Sequence, residues 1–542
     1  MSFPTQVFRT LPILALALVI VATITILYSP GLDYPFFFDD YNSLMNDQGK
    51  VNNLIKNPSQ SLDNLLAQPL RPDRNLTWLS FAASYQVNEM SPAGFRLINL
   101  ILHGLCSILV YLILSTLLFR HSLQTTTISY QCCWPALVGT LFFLCHPLAL
   151  NTVLYISQRF GALAAFFYLC GFYAWLKGKQ SPTETSATRH HWLWFPAAGL
   201  AFWGALHSKE MAVTLPFTIM IYETYTSQPQ PGNRKKILVP LALLVLMAAA
   251  IFLYAFKVGL FNQSWINIGF CSKRLWSPGI QFLSEARAFF QYWKLLFLPL
   301  PQSLSLHHEF SPSLNYLDPA ALLAIIGHIL LLVTAWKIRR LAPLLGFGIF
   351  WFYLVLGPPY LFLPQKELLV EYKTYLATPG AALMICGLLA TIKNRLNDDK
   401  RTLTRYFIYS IIGCGLLLLT TITWQRRSIF QSPITLWSDV LLKYPASRRA
   451  LNNRAVAHLK NQAPDKALSD LNTLVEKHTN YARGFENRGR LRLYLKDYQG
   501  AFSDLQKTLD LLPDEPELIN TRNEIEKLKT LAQRAAKREK MR

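Results

Sequence analysis

The feature that most constrains this chain is a succession of apolar runs, each close to the length of a membrane crossing. A bilayer core offers the backbone no water. A segment that enters it must satisfy its own amides and carbonyls, and a single stretch does that as a helix. About 20 mostly apolar residues are needed to cross. The first run is Leu11–Tyr28, preceded by Arg9. Others follow at about 94–119, 133–150, 160–176, 191–207, 211–225, 237–256, 319–336, 343–362, 376–392 and 405–424. These make about 11 transmembrane helices in an all-α, polytopic membrane domain. No small-x-small cleavage site follows the first run, so it is expected to stay as an anchor.

Charge orients the runs. Of 542 residues only 15% are charged and 52% are hydrophobic, which excludes an ordinary soluble enzyme and a disordered chain. The net charge of +22 could suggest nucleic acid, but residues 443–542 hold 34 of the 84 charges. Much of the remaining positive excess sits in short loops, where Lys and Arg are retained in the cytoplasm. With the N-terminus inside, the short cytoplasmic segments hold 16 basic residues, among them Lys235, Lys236, Arg339 and Arg340. The short opposite connections hold four: Arg159, Lys209, Lys366 and Lys373. Segment 284–299 could be a further span, but its crossing would turn every later basic loop outward. It is therefore expected to be an interfacial or re-entrant helix within an outer loop, 257–318. No basic stripe points to nucleic acid. The eight Cys show no CxxC and no zinc spacing, and are expected to pack as small apolar residues.

An odd number of spans places the polar tail outside the cytoplasm. The tail repeats: Gly489 follows Ala455, Ala501 follows Ala467, and Leu505 follows Leu471, each by 34 residues, and Pro513 closes the second unit. Small, small, large at this period is the tetratricopeptide pattern, a helical solenoid whose groove takes peptides or partner helices. Segments 426–444 and 516–538 are expected to flank it. The chain thus divides into a membrane domain, 1–425, and a repeat domain, 426–542, which is either a binding module or a structural cap.

Chemistry is sought among acids near the membrane surface, because ionised groups there are costly. Asp39 and Asp40 follow Pro35-Phe36-Phe37-Phe38 in the first outer loop, 30–93. Adjacent carboxylates under an aromatic cluster can divide into one held by hydrogen bonds and one that takes a proton from an attacking group. They could equally be a solvated acid pair. Arg159, Lys209-Glu210 and Glu371-Tyr372-Lys373 fall in other outer connections, with Arg71 and Arg74 in the first loop. Cations gathered there can hold a lipid phosphate, Lys as a point charge and Arg as a fork. Each alone could simply reach up to headgroups. His307-His308-Glu309 lacks a third ligand at recognisable spacing, so it is expected to be a loop contact and no metal site is assigned. His103 is expected to be a helix-contact residue.

In order along the chain stand FFFDDYNSL, NLTWLSFAASYQ, GFRLINLILHGLCSILVY, HPLALNTVLYISQRFGALAA, HSKEMAVTLPFTIMIYE, YWKLLFLPLPQSLS and VEYKTYLATPG. This series, over roughly 10–510 with the repeat tail, resembles bacterial relatives of the transmembrane-and-tetratricopeptide-repeat (TMTC-type) mannosyltransferases. The resemblance implies the GT-C fold of protein O-mannosyltransferases and a polyprenyl-phosphate-linked sugar donor. It further implies a general base at the acidic motif, Asp39, with Asp40 positioning it or the acceptor, and transfer with inversion. Arg71, Arg74, Arg159, Lys209, Glu210, Glu371, Tyr372 and Lys373 become the residues expected to bind donor phosphate or sugar. Relatives often read E-H-R-x-Y where this chain reads Glu371-Tyr372-Lys373-Thr374-Tyr375, which suits a different sugar. The first loop reads RPDRNLTW where RPLTW-like runs are common, an insertion. The expected setting is a bacterial inner membrane, with the site and the tail on the periplasmic side and a protein acceptor engaged by the repeats. A lipid or polysaccharide acceptor, or a non-enzymatic envelope scaffold, are the alternatives. No cofactor is assigned, and the sequence does not fix a divalent-metal requirement.

Overall fold

The computed structural model describes residues 4–40, 44, 74–122, 134–179, 191–226, 277–362, 367–395, 402–513, 515 and 518–541. Arg71, Cys132, Cys133 and the run at 237–256 lie outside them. Among the described residues every regular element is helical. The chain forms two compact units, Met1–Leu304 with Phe310–Ser428, and Ser305–Glu309 with Ile429–Arg542.

The first unit carries α1 (Pro4–Leu27), α2 (Asn75–Asn88), α3 (Pro92–Ser122), α4 (Trp134–Leu144), the short α5 (Ala149–Val153), α6 (Arg159–Gly178) and α7 (Trp194–Leu206). It continues with α8 (Leu215–Thr226), α9 (Pro278–Phe297), α10 (Pro319–Lys337), α11 (Pro343–Phe362), α12 (Thr378–Arg395) and α13 (Thr402–Arg427). Four stretches among the described residues are long and apolar enough to cross a membrane: Pro92–Arg120, Ile156–Gly178, Pro319–Arg340 and Leu403–Gln431. Shorter apolar helices of 10–17 residues occur at Leu14–Leu27, Trp134–Leu144, Pro343–Pro358 and Thr378–Lys393. On α10 and α13, Leu323, Ile326, Leu330, Leu403, Phe407 and Leu417 are exposed, a surface suited to hydrocarbon.

Two apolar runs are not single helices. The run at 133–150 breaks after Leu144, where Pro147 has no amide to donate. His146 takes up the break: its Nδ1 accepts from the Leu148 amide (3.2 Å) and its Nε2 bonds the Leu296 carbonyl (2.9 Å). The run at 211–225 begins as a 3₁₀ turn, Glu210–Thr214, and becomes α-helical at Leu215. Pro216, in the first helical turn, costs no hydrogen bond there.

The helices pack through glycines and rings. A Cβ on Gly348 of α11 would lie 2.5 Å from the Gly380 carbonyl oxygen of α12, and one on Gly387 would lie 2.5 Å from the Leu345 amide. Only glycine permits that approach. Beside it Trp351 is wholly buried, edge-on to Tyr168 and Phe172, and donates to the Leu376 carbonyl (2.9 Å).

The second unit is a row of six helices among the described residues. They are α14 (Pro433–Lys443), α15 (Arg448–Lys460), α16 (Pro464–Lys477), α17 (Ala482–Tyr494), α18 (Tyr498–Leu511) and α19 (Ile519–Lys540). Side chains cap several starts: Ser432 and Thr435 form a capping box, and Ser447 and Asp497 accept from the amides of Ala450 and Gly500. The 34-residue period is physical. Arg454 of α15 grips Asp470 of α16 in two hydrogen bonds (2.9 and 2.6 Å). Thirty-four residues on, Arg488 of α17 grips Asp504 of α18 in the same way (2.9 and 2.7 Å). Ala455, Ala467, Leu471, Gly489, Ala501 and Leu505 are all buried. In this unit Glu309 accepts from Ser447 Oγ (2.7 Å) and pairs with His307 (3.4 Å), while His308 bonds Tyr444 (3.2 Å). The His307 contact, aided by Ser447, lowers the Glu309 pKa to about 2.

Candidate active site

The acid pair hangs on a loop that one arginine organises. Arg96 of α3 is fully buried and donates to four carbonyls: Leu154 (2.8 Å), Leu32 (3.0 Å), Pro35 (2.6 Å) and Tyr34. Its guanidinium also lies over the Phe37 ring, 5.6 Å from the centroid. Carbonyls that point one way onto one cation fix the path of 32–37. Phe38 then takes a left-handed backbone (φ 55°), an uncommon and costly state for a bulky residue. That turn sends the two following carboxylates apart.

Asp40 is completely buried. One of its oxygens accepts from the Ser157 amide (2.8 Å) and hydroxyl (2.6 Å), and the other from the Phe37 amide (3.4 Å). Burial pushes its pKa up to about 6, against the opposing pull of Ser157, Arg96 and Phe37. Asp39 is only partly buried, and its amide donates to the Tyr155 hydroxyl (3.1 Å). Tyr155 is buried and stacked on Phe37. Burial, then the charges of Asp39 and Asp40, raise its pKa well above the ordinary phenol value, so it keeps its proton beside Asp39.

Three further segments converge here. The 3₁₀ turn Glu371–Thr374 brings Tyr372, whose pKa is pushed up to about 12 by burial and by the nearby Asp39 charge. The tight turn after α7 brings Lys209, with its ammonium 5.4 Å from the Tyr372 ring centroid. Burial lowers the Lys209 pKa to about 8; Glu210 works against that, Arg74 and Lys373 with it. The start of α2 docks on the same turn, since the Leu76 amide donates to the His207 carbonyl (3.2 Å) and Thr77 Oγ1 to the Ser208 carbonyl (3.3 Å). This docking lets Arg74, also left-handed (φ 58°), clasp Glu210 through two hydrogen bonds (3.0 and 2.8 Å). Each partner is 40% exposed. Desolvation opposes the Glu210 charge, but Arg74 and Lys209 outweigh it and hold its pKa below the usual value.

Asp39, Arg74, Lys209 and Glu210 therefore gather around Tyr372, although they come from separate segments of the chain. Other residues expected at the site are engaged elsewhere. Arg159 is buried and donates to Asn99 Oδ1 (3.0 Å), the Ser80 carbonyl (2.9 Å), Ser84 Oγ (2.8 Å) and the Phe95 carbonyl (2.7 Å). Its guanidinium lies 4.4 Å from the Phe81 ring centroid, so it ties α2, α3 and α6 together. Glu371 is buried between Asn151 Nδ2 (2.6 Å) and the Arg426 guanidinium. Lys373 is buried, donates to the Glu367 carbonyl (2.9 Å) and lies 4.0 Å from the Glu285 carboxylate. His103 bridges Tyr375 (2.8 Å) and the Leu144 carbonyl (3.2 Å).

Sequence reading did not single out Arg96, Tyr155, Ser157, Glu285 or Arg426. For Arg96 and Arg426 a signal existed, since both interrupt or end an apolar run, where a charge must find partners. For Ser157 there was none. Among the described residues no group of three or more His, Cys, Asp and Glu is arranged to hold a metal ion.

No protein-family model and no solved structure gives a significant match to the chain. Over 222 residues it is 23% identical to protein O-mannosyl-transferase TMTC3 of Homo sapiens, covering 39% of this chain and 21% of that protein. The Mus musculus protein of the same name is 22% identical over 222 residues. Over 84 residues the chain is 26% identical to Hsp70-Hsp90 organizing protein 2 of Arabidopsis thaliana, 16% of this chain and 15% of that protein. The similarity thus spans about a fifth of the mannosyl-transferase relatives' length. With the apolar helices, it marks a membrane protein distantly and partially related to a protein O-mannosyl-transferase.

Proposed function

We propose that this chain is a membrane glycosyltransferase of the GT-C type, moving a sugar from a polyprenyl-phosphate-linked donor to a protein on the extracytoplasmic side. One observation carries the reading: of two adjacent carboxylates, Asp40 is spent on holding the loop, while Asp39 is left beside two phenols, Tyr155 and Tyr372, the second of which carries the Lys209 ammonium over its ring. In the step envisaged, an acceptor hydroxyl attacks the anomeric carbon of the sugar and its proton passes to Asp39. The bond from that carbon to the phosphate oxygen breaks, and the lipid phosphate leaves with the electron pair. Lys209 meets its charge. A single displacement inverts the anomeric carbon. Arg74 and Glu210 form the rim and orient sugar or acceptor hydroxyls, whereas Arg159 and Glu371 hold the frame. The tail, read as tetratricopeptide repeats, holds the protein acceptor and raises its effective concentration.

The test compares intact masses of envelope proteins from cells carrying wild type or Asp39→Asn at equal protein levels. Loss of a discrete sugar mass from one or a few proteins supports the reading and names the acceptor. Unchanged protein masses, with a changed lipid or polysaccharide, redirect it to those acceptors. The similarity to an organizing protein favours a second reading, a membrane-anchored scaffold. In that case Asp39→Asn is silent and only loss of the tail has an effect.

A further inference from the structure

The helix α19 has two unlike faces. Ile525 and Ala532 are completely buried, and Leu528 packs with Ile525 against Leu505 and Leu509 of α18. That face fixes the helix in its row. On the opposite face stand Lys527, Leu531, Arg534, Arg538 and Met541. They follow one another at steps of 4, 3, 4 and 3 residues, which a helix of 3.6 residues per turn gathers into one stripe. All five are exposed, Leu531 by 57% and Met541 by 79%. The three cations have no hydrogen-bond or ion-pair partner among the described residues. The acids of α19 do not neutralise them. Glu524 is paired with Arg490 of α17 (2.9 Å) and Glu526 with Lys529 (2.8 Å). Glu539, next to Arg538 in the chain, is turned about 100° away from it around the helix.

A helix that merely ends a row of repeats needs a polar outer face, not two exposed apolar side chains set between cations. Cations alternating with apolar groups suit a bilayer interface, where the charges meet lipid phosphates and the apolar groups enter the headgroup layer. We propose that this face of α19 is a membrane-surface contact that takes the headgroups of anionic phospholipids. The unit that carries it begins at Ile429, at the end of Leu403–Gln431, a stretch long and apolar enough to cross a membrane. A bilayer is therefore always within reach, and a weak contact is held at high effective concentration. The contact stands apart from the glycosyl-transfer reading: it sets where the end of the helical row rests, whatever that row holds.

The experiment uses the full chain, cleared of its other cysteines, with Leu531→Cys carrying a polarity-sensitive fluorophore. It is reconstituted in nanodiscs of phosphatidylcholine alone or of phosphatidylcholine mixed with phosphatidylglycerol. Emission should shift to the blue in the anionic discs only. Salt at about 1 M, where the screening length is about 3 Å, should reverse the shift, an arm that needs no further variant. Each cation near an anionic surface strengthens attachment about fivefold, so Lys527→Gln, Arg534→Gln and Arg538→Gln together should lower the ratio of attached to free helix by on the order of 10². These side chains are exposed and unpaired, so the triple variant should keep its thermal unfolding midpoint. Equal emission in the two kinds of disc overturns the proposal, as does a shift that survives both salt and the triple variant. A shift produced only by adding polyglutamate to the phosphatidylcholine discs assigns the face to an acidic protein and overturns it as well.

Discussion

Replacing Asp39 by Asn keeps the size of the side chain and removes the base. Transfer should fall by roughly 10²–10⁴-fold, with an unchanged thermal unfolding midpoint. Asp40→Asn should do the reverse in kind: an amide cannot accept from both the Ser157 and Phe37 amides as the carboxylate does, so the midpoint should drop by the equivalent of about 1–3 kcal/mol. Asp40 also leaves a signature in pH. Its folded-state pKa, about 6, lies above the unfolded value near 3.8. The folded state therefore binds the proton more tightly, and this contribution to stability is present below about pH 4 and lost as pH rises through about 6. Unfolding midpoints of wild type should decline over that window relative to those of Asp40→Asn; parallel curves would remove burial as the cause of the shift. The letters DD allow such a division but do not show what produces it. The acid motif and the outer cations stood out, but what separates the two carboxylates is Ser157, 117 positions away, and a left-handed residue with no glycine to announce it.

Helix positions, by contrast, were largely readable, because a membrane imposes its length on the pattern. The run at 94–119 falls within Pro92–Ser122, and that at 405–424 within Thr402–Arg427. The reading failed where an apolar run contains a break that polar side chains heal, as at His146-Pro147. Packing between helices was not readable, yet it makes sharp predictions. Gly387→Ala forces a methyl against the Leu345 amide and should destabilise by about 1–3 kcal/mol. Gly413→Ala, with nothing within 4 Å, should be neutral or gain about 0.5–1 kcal/mol from helix propensity. Thermal unfolding of the two variants in one detergent checks both. In the repeat helices, Asp504 is 3% exposed and holds Arg488 and Arg492, whereas Glu524 is 59% exposed. Asp504→Asn should speed amide exchange across α17 and α18, and Glu524→Gln should leave it nearly unchanged.

At the scale of the molecule, the orientation inferred from loop charge predicts that the first loop faces outward. Asp33→Cys, at an exposed position, in a chain cleared of its other cysteines, should react with a membrane-impermeant thiol reagent on intact cells or spheroplasts. Reaction only after disruption would invert the topology and move the site to the other face. The chain enters residues 41–73 from Asp40, pinned by Ser157, and leaves them at Arg74, clasped to Glu210, with Leu76 bonded to His207 just beyond. Both ends of that segment are moored to parts of the protein that do not belong to it. The spacing between the acid and the cations is thus kept by Ser157, Glu210 and His207, groups of the helical frame on which each mooring is made.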